Sequence, residues 1–231
     1  MKRRFSLNSG FAIGIITCFL GMVIPACEKG PGQLPQPVLP VIITLETTGI
    51  SATTAISGGK VISTGSVPLI SRGVCWNREG SPTIADQMTV DGNTSGTFTS
   101  FIGGLEEATS YYVRAYAVNS VGIAYGGQEY FTTNTIPTVE TSEVGEITTK
   151  SAVSGGKVLF CGGASVTSRG VCWSTQEYPT VAGSRTIDGK NTGSFKSVLT
   201  GLSPATVYYA RAYATNSIGT GYGIQLRFTT R

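Results

Sequence analysis

Between Thr109 and Ala117 the chain changes character at every residue. Tyr111, Val113, Ala115 and Ala117 fall on one face of an extended backbone, and Tyr112, Arg114 and Tyr116 fall on the other. A period of two is the mark of a β-strand with one buried face, and the apolar and small set is expected to face the core. The same alternation returns as Tyr208, Ala210, Ala212 and Ala214 against Tyr209, Arg211 and Tyr213. Short stretches of this kind, punctuated by Gly, Pro, Asn and Asp, predict strands near 41–47, 53–62, 70–76, 96–102, 109–118 and 125–132. No segment shows a helical period. Val74 and Trp76 share a face of the third strand, as do Val171 and Trp173 in a later one. Each Trp is therefore expected to fill the space between two sheets.

The pattern is duplicated without a gap. Gly58 to Val61 recurs at Gly155 to Val158, and Arg72 to Trp76 recurs at Arg169 to Trp173, always 97 positions later. A repeat of this length means two copies of one domain rather than one fold around a single active site. The reading is all-β, with two tandem β-sandwiches over residues 38–134 and 135–231, each of ordinary domain size. Only Thr133 to Pro137 joins them, which predicts end-to-end stacking with restricted bending. Asp91-Gly92 and Asp188-Gly189 are expected to form tight turns, as are Asn119 to Gly122 and Asn216 to Gly219. Leu105 and Leu202 are expected to plug the core at the entry to the tyrosine-bearing strands.

Residues 1–26 have the build of an export signal: Lys2, Arg3 and Arg4 precede an apolar stretch from Phe11 to Ile24. That stretch is shorter than the roughly 20 apolar residues of a membrane span. It ends in Ile24-Pro25-Ala26-Cys27, which resembles a bacterial lipobox. The resemblance implies that Cys27 is acylated and becomes the first mature residue, with more than one chain for firm attachment. Residues 27–37 then form a Pro/Gly-rich tether. The expected address is a bacterial cell envelope, lipid-anchored at the outer membrane. The tether offers Glu28 and then Lys29 rather than an acidic run, which leaves open the face of that membrane.

Composition narrows the chemistry. The formal charge is +4, and loss of the signal with its three cations brings it to +1. No basic run remains, which argues against a nucleic-acid partner. There is no His, so the usual general base near neutral pH is missing, and Ser-His-Asp or Cys-His catalysis is excluded within this chain. Asp86, Asp91, Glu106 and Glu107 are the clustered carboxylates of the first repeat, and only Asp91 recurs, as Asp188. No catalytic pair, cofactor or metal site is expected, a carboxylate-only metal site being the one such chemistry left open. Cys75 and Cys172 are equivalent and are expected to be small buried thiols. Cys161 has Thr64 at its counterpart, and either a Cys161–Cys172 bridge or a free thiol is compatible with the spacing.

Leu105, Thr109, Tyr111, Val113, Ala117, Asn119 and Gly122, at these spacings, resemble the second half of a fibronectin type III domain, with Tyr111 and Tyr208 matching its tyrosine corner. The phrases SGGKV, SRGVCW, YYVRAYA and YYARAYA, with the closing Phe-Thr-Thr, look like the divergent form found in surface lipoproteins of Bacteroidetes. The resemblance covers nearly everything after residue 40. It implies immunoglobulin-like (fibronectin type III-like) sandwiches and a non-enzymatic binding or adhesion/assembly role, for which such domains serve as scaffold. Repeats of this kind often precede a further C-terminal domain, whereas this sequence stops at Arg231. Protein contacts would use the loops 63–69 with 118–125, and 160–167 with 215–222. A glycan-binding alternative would use Tyr112, Arg114, Tyr116, Tyr209, Arg211 and Tyr213 on the outward face. A third alternative is a purely structural spacer or fimbria-like subunit.

Overall fold

Each repeat builds two facing sheets from eight short strands. The first contains β1 (Val41–Thr44), β2 (Ala55–Ser63), β3 (Leu69–Asn77), β4 (Gln87–Met88), β5 (Gly96–Ile102), β6 (Ser110–Asn119), β7 (Ile123–Tyr125) and β8 (Glu129–Thr132). The second contains β9 (Thr138–Gly145), β10 (Ser151–Phe160), β11 (Ser168–Ser174), β12 (Ser184–Arg185), β13 (Gly193–Thr200), β14 (Val207–Thr215), β15 (Thr220–Tyr222) and β16 (Leu226–Thr229). This computed structural model describes residues 36–231; residues 1–26, expected to be an export signal, and Cys27 lie outside them. One sheet runs β1-β2-β5, and the other runs β4-β3-β6 with β7 and β8 sharing the far side of β6. The second repeat has β9-β10-β13 facing β12-β11-β14 with β15 and β16. The described residues are thus all-β, in two tandem β-sandwiches.

The alternating pattern sets the core. Tyr111, Val113, Ala115 and Ala117 are buried from β6, against Trp76 and Val74 of β3 and Phe98 and Ile102 of β5. Leu105 closes one end. In the second repeat Trp173, Leu199, Leu202, Tyr208 and Phe228 form the matching cluster. Large rings set the spacing between the sheets and small alanines on β6 and β14 admit them, as close packing requires.

The predicted strand 125–132 is broken into β7 and β8, and the cause is a threonine. Thr44 of the opposite sheet accepts a hydrogen bond from the Ala115 amide (2.9 Å) and donates to the Gly127 carbonyl. Its side chain occupies the place of a continuous backbone partner. Gly126 lies so close that a Cβ there would stand 2.5 Å from the Thr44 hydroxyl. Thr141, Ala212 and Gly223 repeat the arrangement. The two-residue β4 was not among the predicted strands, because Gln87 and Met88 show no alternation.

Asp91-Gly92, expected from sequence to form a tight turn, is instead part of the crossing from one sheet to the other. The Asp91 amide donates to the Arg72 carbonyl and the Arg72 amide to the Gly92 carbonyl, both at 2.8 Å. The Asp91 carboxylate accepts from the Thr89 hydroxyl (2.6 Å) and from Ser100 of the other sheet (2.5 Å). The Arg72 guanidinium donates to the carbonyls of Thr94, Ser95 and Gly96 and lies 4.8 Å from the Phe98 ring centroid. The Thr89 carbonyl accepts the Tyr116 hydroxyl at 2.6 Å. It also fills the space above Gly73, where a Cβ would lie 2.2 Å from it. Thr186, Asp188, Ser197, Arg169, Tyr213 and Gly170 reproduce this ligature in the second repeat.

At the junction the backbone amides of adjacent residues turn to different sandwiches, while the Thr135 hydroxyl reaches back to Glu107 of the first. Asn134 donates from its amide to Ser51 and from its side chain to Ile50, whereas the Thr135 amide donates to Gly162.

Tyr116→Phe and Tyr213→Phe each leave a buried carbonyl without its hydroxyl donor, and each is expected to lower the unfolding free energy by about 1–2 kcal/mol in urea denaturation. Ala108 and Ala205 carry φ of 51° and 50°, so replacement of either by Gly is expected to raise it by about 0.5–1 kcal/mol.

Candidate functional site: a charged cleft confined to the first repeat

The turn into β6 is rigidly held. The Tyr111 hydroxyl accepts from the Glu106 amide at 3.0 Å, and Thr133 both donates to the Glu106 carbonyl and accepts from the Thr109 amide. Facing this turn is the β3–β4 connection. There the Asn77 carboxamide brackets Gly80, accepting from its amide (2.9 Å) and donating to its carbonyl (3.2 Å). Asp86 accepts from both the amide and the hydroxyl of Thr83. The two connections enclose an open cleft of about 780 Å³. Trp76 and Tyr111 form its floor, and Arg78, Glu79, Asp86 and Glu106 are among its walls.

Arg78 crosses the cleft. Its guanidinium is paired with the Glu106 carboxylate, donates to the Tyr111 hydroxyl at 3.3 Å and lies 5.4 Å from that ring's centroid. The bond that Arg78 donates to Glu106, with that to Tyr111, holds its proton more firmly than usual. The Thr83 amide holds the Asp86 carboxyl below the usual range. Three carboxylates thus share the cleft with one guanidinium, all with access to water.

The second repeat keeps the frame and loses the charges at these four positions. Trp173 and Tyr208 occupy the floor positions, and the Tyr208 hydroxyl again accepts a backbone amide, from Ser203 at 3.0 Å. The corresponding space is divided into two openings of about 350 and 220 Å³ that share Trp173, Ser174 and Gly183; the first has no charged lining side chain, and Glu177 lines the second. Arg78, Glu79, Asp86 and Glu106 become Thr175, Gln176, Gly183 and Ser203. What the copies share here is framework, and what they do not share is the charge of the walls.

The outward-face residues do not form an accessible aromatic platform. Tyr116 and Tyr213 are 1% exposed, a correction to the expectation that alternation would leave them open, because the crossing segment covers this side of the sheet. Arg114 donates to the Gly126 carbonyl (3.1 Å) over the Tyr125 ring, and Arg211 donates to the Pro179 carbonyl (2.6 Å) over the Tyr222 ring. Tyr112 is half-buried against Tyr130, with ring centroids 5.3 Å apart. Tyr209 is half-buried and paired in register with Arg227. The structure therefore holds these six residues within two separate sheets rather than gathering them. Of the loops singled out as protein contacts, 160–167 lies partly against the junction, where Gly162 receives the Thr135 amide.

Cys75, Cys161 and Cys172 are free thiols, so the Cys161–Cys172 bridge left open by the spacing does not form. Cys75 and Cys172 are fully buried. Burial pushes the Cys75 thiol up to about 11 from 9.0, and desolvation likewise raises Cys172. Cys161 is half-buried. Among the described residues no three acidic or cysteine side chains converge into a metal-holding group.

Asp86 and Glu106 are legible in the sequence as carboxylates without counterpart in the copy. Arg78 and Glu79 carry the same mark once set against Thr175 and Gln176. Their distance along the chain hides the fact that all four meet at one cleft.

Brief alkylation of the native protein at pH 8, mapped by peptide mass spectrometry, is expected to modify Cys161 and spare Cys75 and Cys172. The raised folded-state value also gives a sign for stability. The unfolded chain loses its Cys75 proton first, so stability present below pH 9 is expected to fall as pH rises toward about 11; a Cys75→Ala variant is expected to flatten that part of the stability–pH curve. No family model and no curated protein matches this chain.

Proposed function

We propose that this chain is a non-enzymatic binding module of a bacterial cell envelope, held to the outer membrane by acyl chains on Cys27, that presents the charged cleft of its first repeat to a polar partner. The observation that carries this reading is the contrast between the copies: an unchanged frame around Trp76 and Tyr111, with the four charged wall residues present in one repeat only. A rim of exposed guanidinium and carboxylates suits recognition by charge pairing and hydrogen bonding, with the sandwich as a rigid support. The sheet order, the tyrosine-corner bond of Tyr111 and the motif phrases support placing the repeats among divergent fibronectin type III-like domains. The apolar stretch before Cys27 supports the anchor.

A glycan partner is the second reading. It is favoured by the Tyr112–Tyr130 pair, in which Tyr130 is 59% exposed beside the half-buried Tyr112. It is weakened by the burial of Tyr116 and Tyr213.

The decisive variant replaces the cleft walls by the residues of the copy: Arg78→Thr, Glu79→Gln, Asp86→Gly and Glu106→Ser together. Crosslinking in intact cells followed by affinity capture is expected to recover an envelope partner with the natural chain. Recovery is expected to fall at least about tenfold, equivalent to about 1.4 kcal/mol, with the variant, its near-ultraviolet circular dichroism unchanged. Equal recovery would overturn the cleft reading. A glycan array that responds to Tyr130→Ser and not to the cleft variant would establish the second reading instead. Labelled palmitate is expected in the natural chain and not in Cys27→Ser.

A further inference from the structure

Among the described residues, strand β5 has a strand partner on one side only, β2. Its free edge follows from the hydrogen bonds of β2. Ile56 exchanges both backbone bonds with Thr48, and the Gly58 carbonyl accepts from Leu45. Ile56 and Gly58 therefore turn away from β5, and their register partners there are Phe101 and Thr99. In an antiparallel ladder the backbone groups of such a pair point outward from each other. Thr97, Thr99 and Phe101 thus direct three N–H and three C=O groups away from β2, along an open edge. Their side chains are exposed, Phe101 to 66%. Neither charge nor proline interrupts Gly96–Ile102, so this edge lacks the usual protection against pairing.

The second repeat supplies that protection. Its edge strand β13 carries Lys196 where β5 has Thr99, and Lys196 is paired with Glu146 at 3.2 Å, both side chains exposed. An antiparallel pairing of two β13 strands about this position would set Lys196 directly against Lys196 of the other chain, a like-charge contact that opposes association. The same pairing of β5 sets Thr99 against Thr99, which is favourable across strands, and places Phe101 opposite Thr97. Phe101 extends the apolar surface of its neighbour Ile56 to the seam, where it covers Thr97 of the other copy, itself the register neighbour of Lys60.

We infer that the first repeat pairs with a second copy of this chain, edge to edge through antiparallel β5 strands centred on Thr99, joining two three-stranded sheets into one of six strands. About six backbone hydrogen bonds join the copies in this register. The self-complementary, uncharged edge favours another copy over a charged partner, and Lys196 confines the pairing to the first repeat. The inference is independent of the cleft, which lies between other connections.

The test is sedimentation of the full-length chain in excess detergent, with Thr99→Lys and Lys196→Thr alongside. The natural chain is expected to be a dimer. Thr99→Lys, which writes the second repeat's residue into the first, is expected to weaken dimerisation at least about tenfold with its circular dichroism unchanged. Lys196→Thr is expected to open a second edge and give larger assemblies. Mild oxidation is expected to crosslink Thr99→Cys into a disulfide dimer and to leave Thr97→Cys at the level of the natural chain, since only position 99 meets itself. A natural chain that stays monomeric up to about 100 µM, or a dimer indifferent to Thr99→Lys, overturns the proposal.

Discussion

The passage of the chain from one sheet to the other, through residues 89–96, is the constraint on which each sandwich depends. Thr89 is its pivot. The backbone amide and carbonyl, and the hydroxyl, are all engaged: with Val74 on β3, with Tyr116 on β6, and with Asp91. Asp91 ties this point to Ser100 on the facing sheet, and Arg72 gathers the carbonyls that follow. A buried guanidinium that binds neutral carbonyls keeps its donors satisfied without a carboxylate partner. Removal of any one member leaves a buried polar group facing nothing, so the set is kept as a unit.

That unit explains the phrases the repeats share. In SRGVCW, Arg72 reads the crossing carbonyls, Gly73 makes room for the Thr89 carbonyl, Val74 and Trp76 fill the core, and Cys75 lies fully buried between them in sequence. In YYVRAYA, Tyr111 locks the turn at Glu106, the alanines admit the rings from the other sheet, and Tyr116 holds Thr89. Once the shared phrases are assigned to internal work, resemblance between the copies ceases to be evidence of a shared ligand. Difference between them becomes the informative quantity, and it is greatest in charge at the cleft of the first repeat and at the edge of β5.

The fold was legible because its signals are local. Alternation along Tyr111 to Ala117 and paired Val and Trp on β3 report a buried face directly, and duplication doubles each observation. What could not be read is tertiary. Tyr116 carries the same outward alternation as Tyr112, and only the path of residues 89–96, set by no periodicity, buries one and spares the other. The break between β7 and β8 comes from Thr44, 83 residues before Gly127 in the chain. The cleft is hidden for the same reason: Arg78 and Glu106 are separated in sequence and meet because two connections end at the same side of a sandwich.

The low charge of the chain follows from how these contacts are made. Thr44, Thr89, Ser100 and Thr133, with their copies Thr141, Thr186, Ser197 and Thr230, place hydroxyls where other proteins place ion pairs. A hydroxyl both donates and accepts, does not titrate in water near neutral pH, and is indifferent to salt in a way that a surface ion pair is not. The two ion pairs among the described residues, Arg78–Glu106 and Lys196–Glu146, stand instead on exposed rims, where such pairs add little to stability. Both stand where contact with another molecule is proposed: one lines the cleft, and the other lies on the edge of β13. Stability is assigned to hydroxyls and carbonyls inside the sandwiches, which leaves charge free to decide contact outside them.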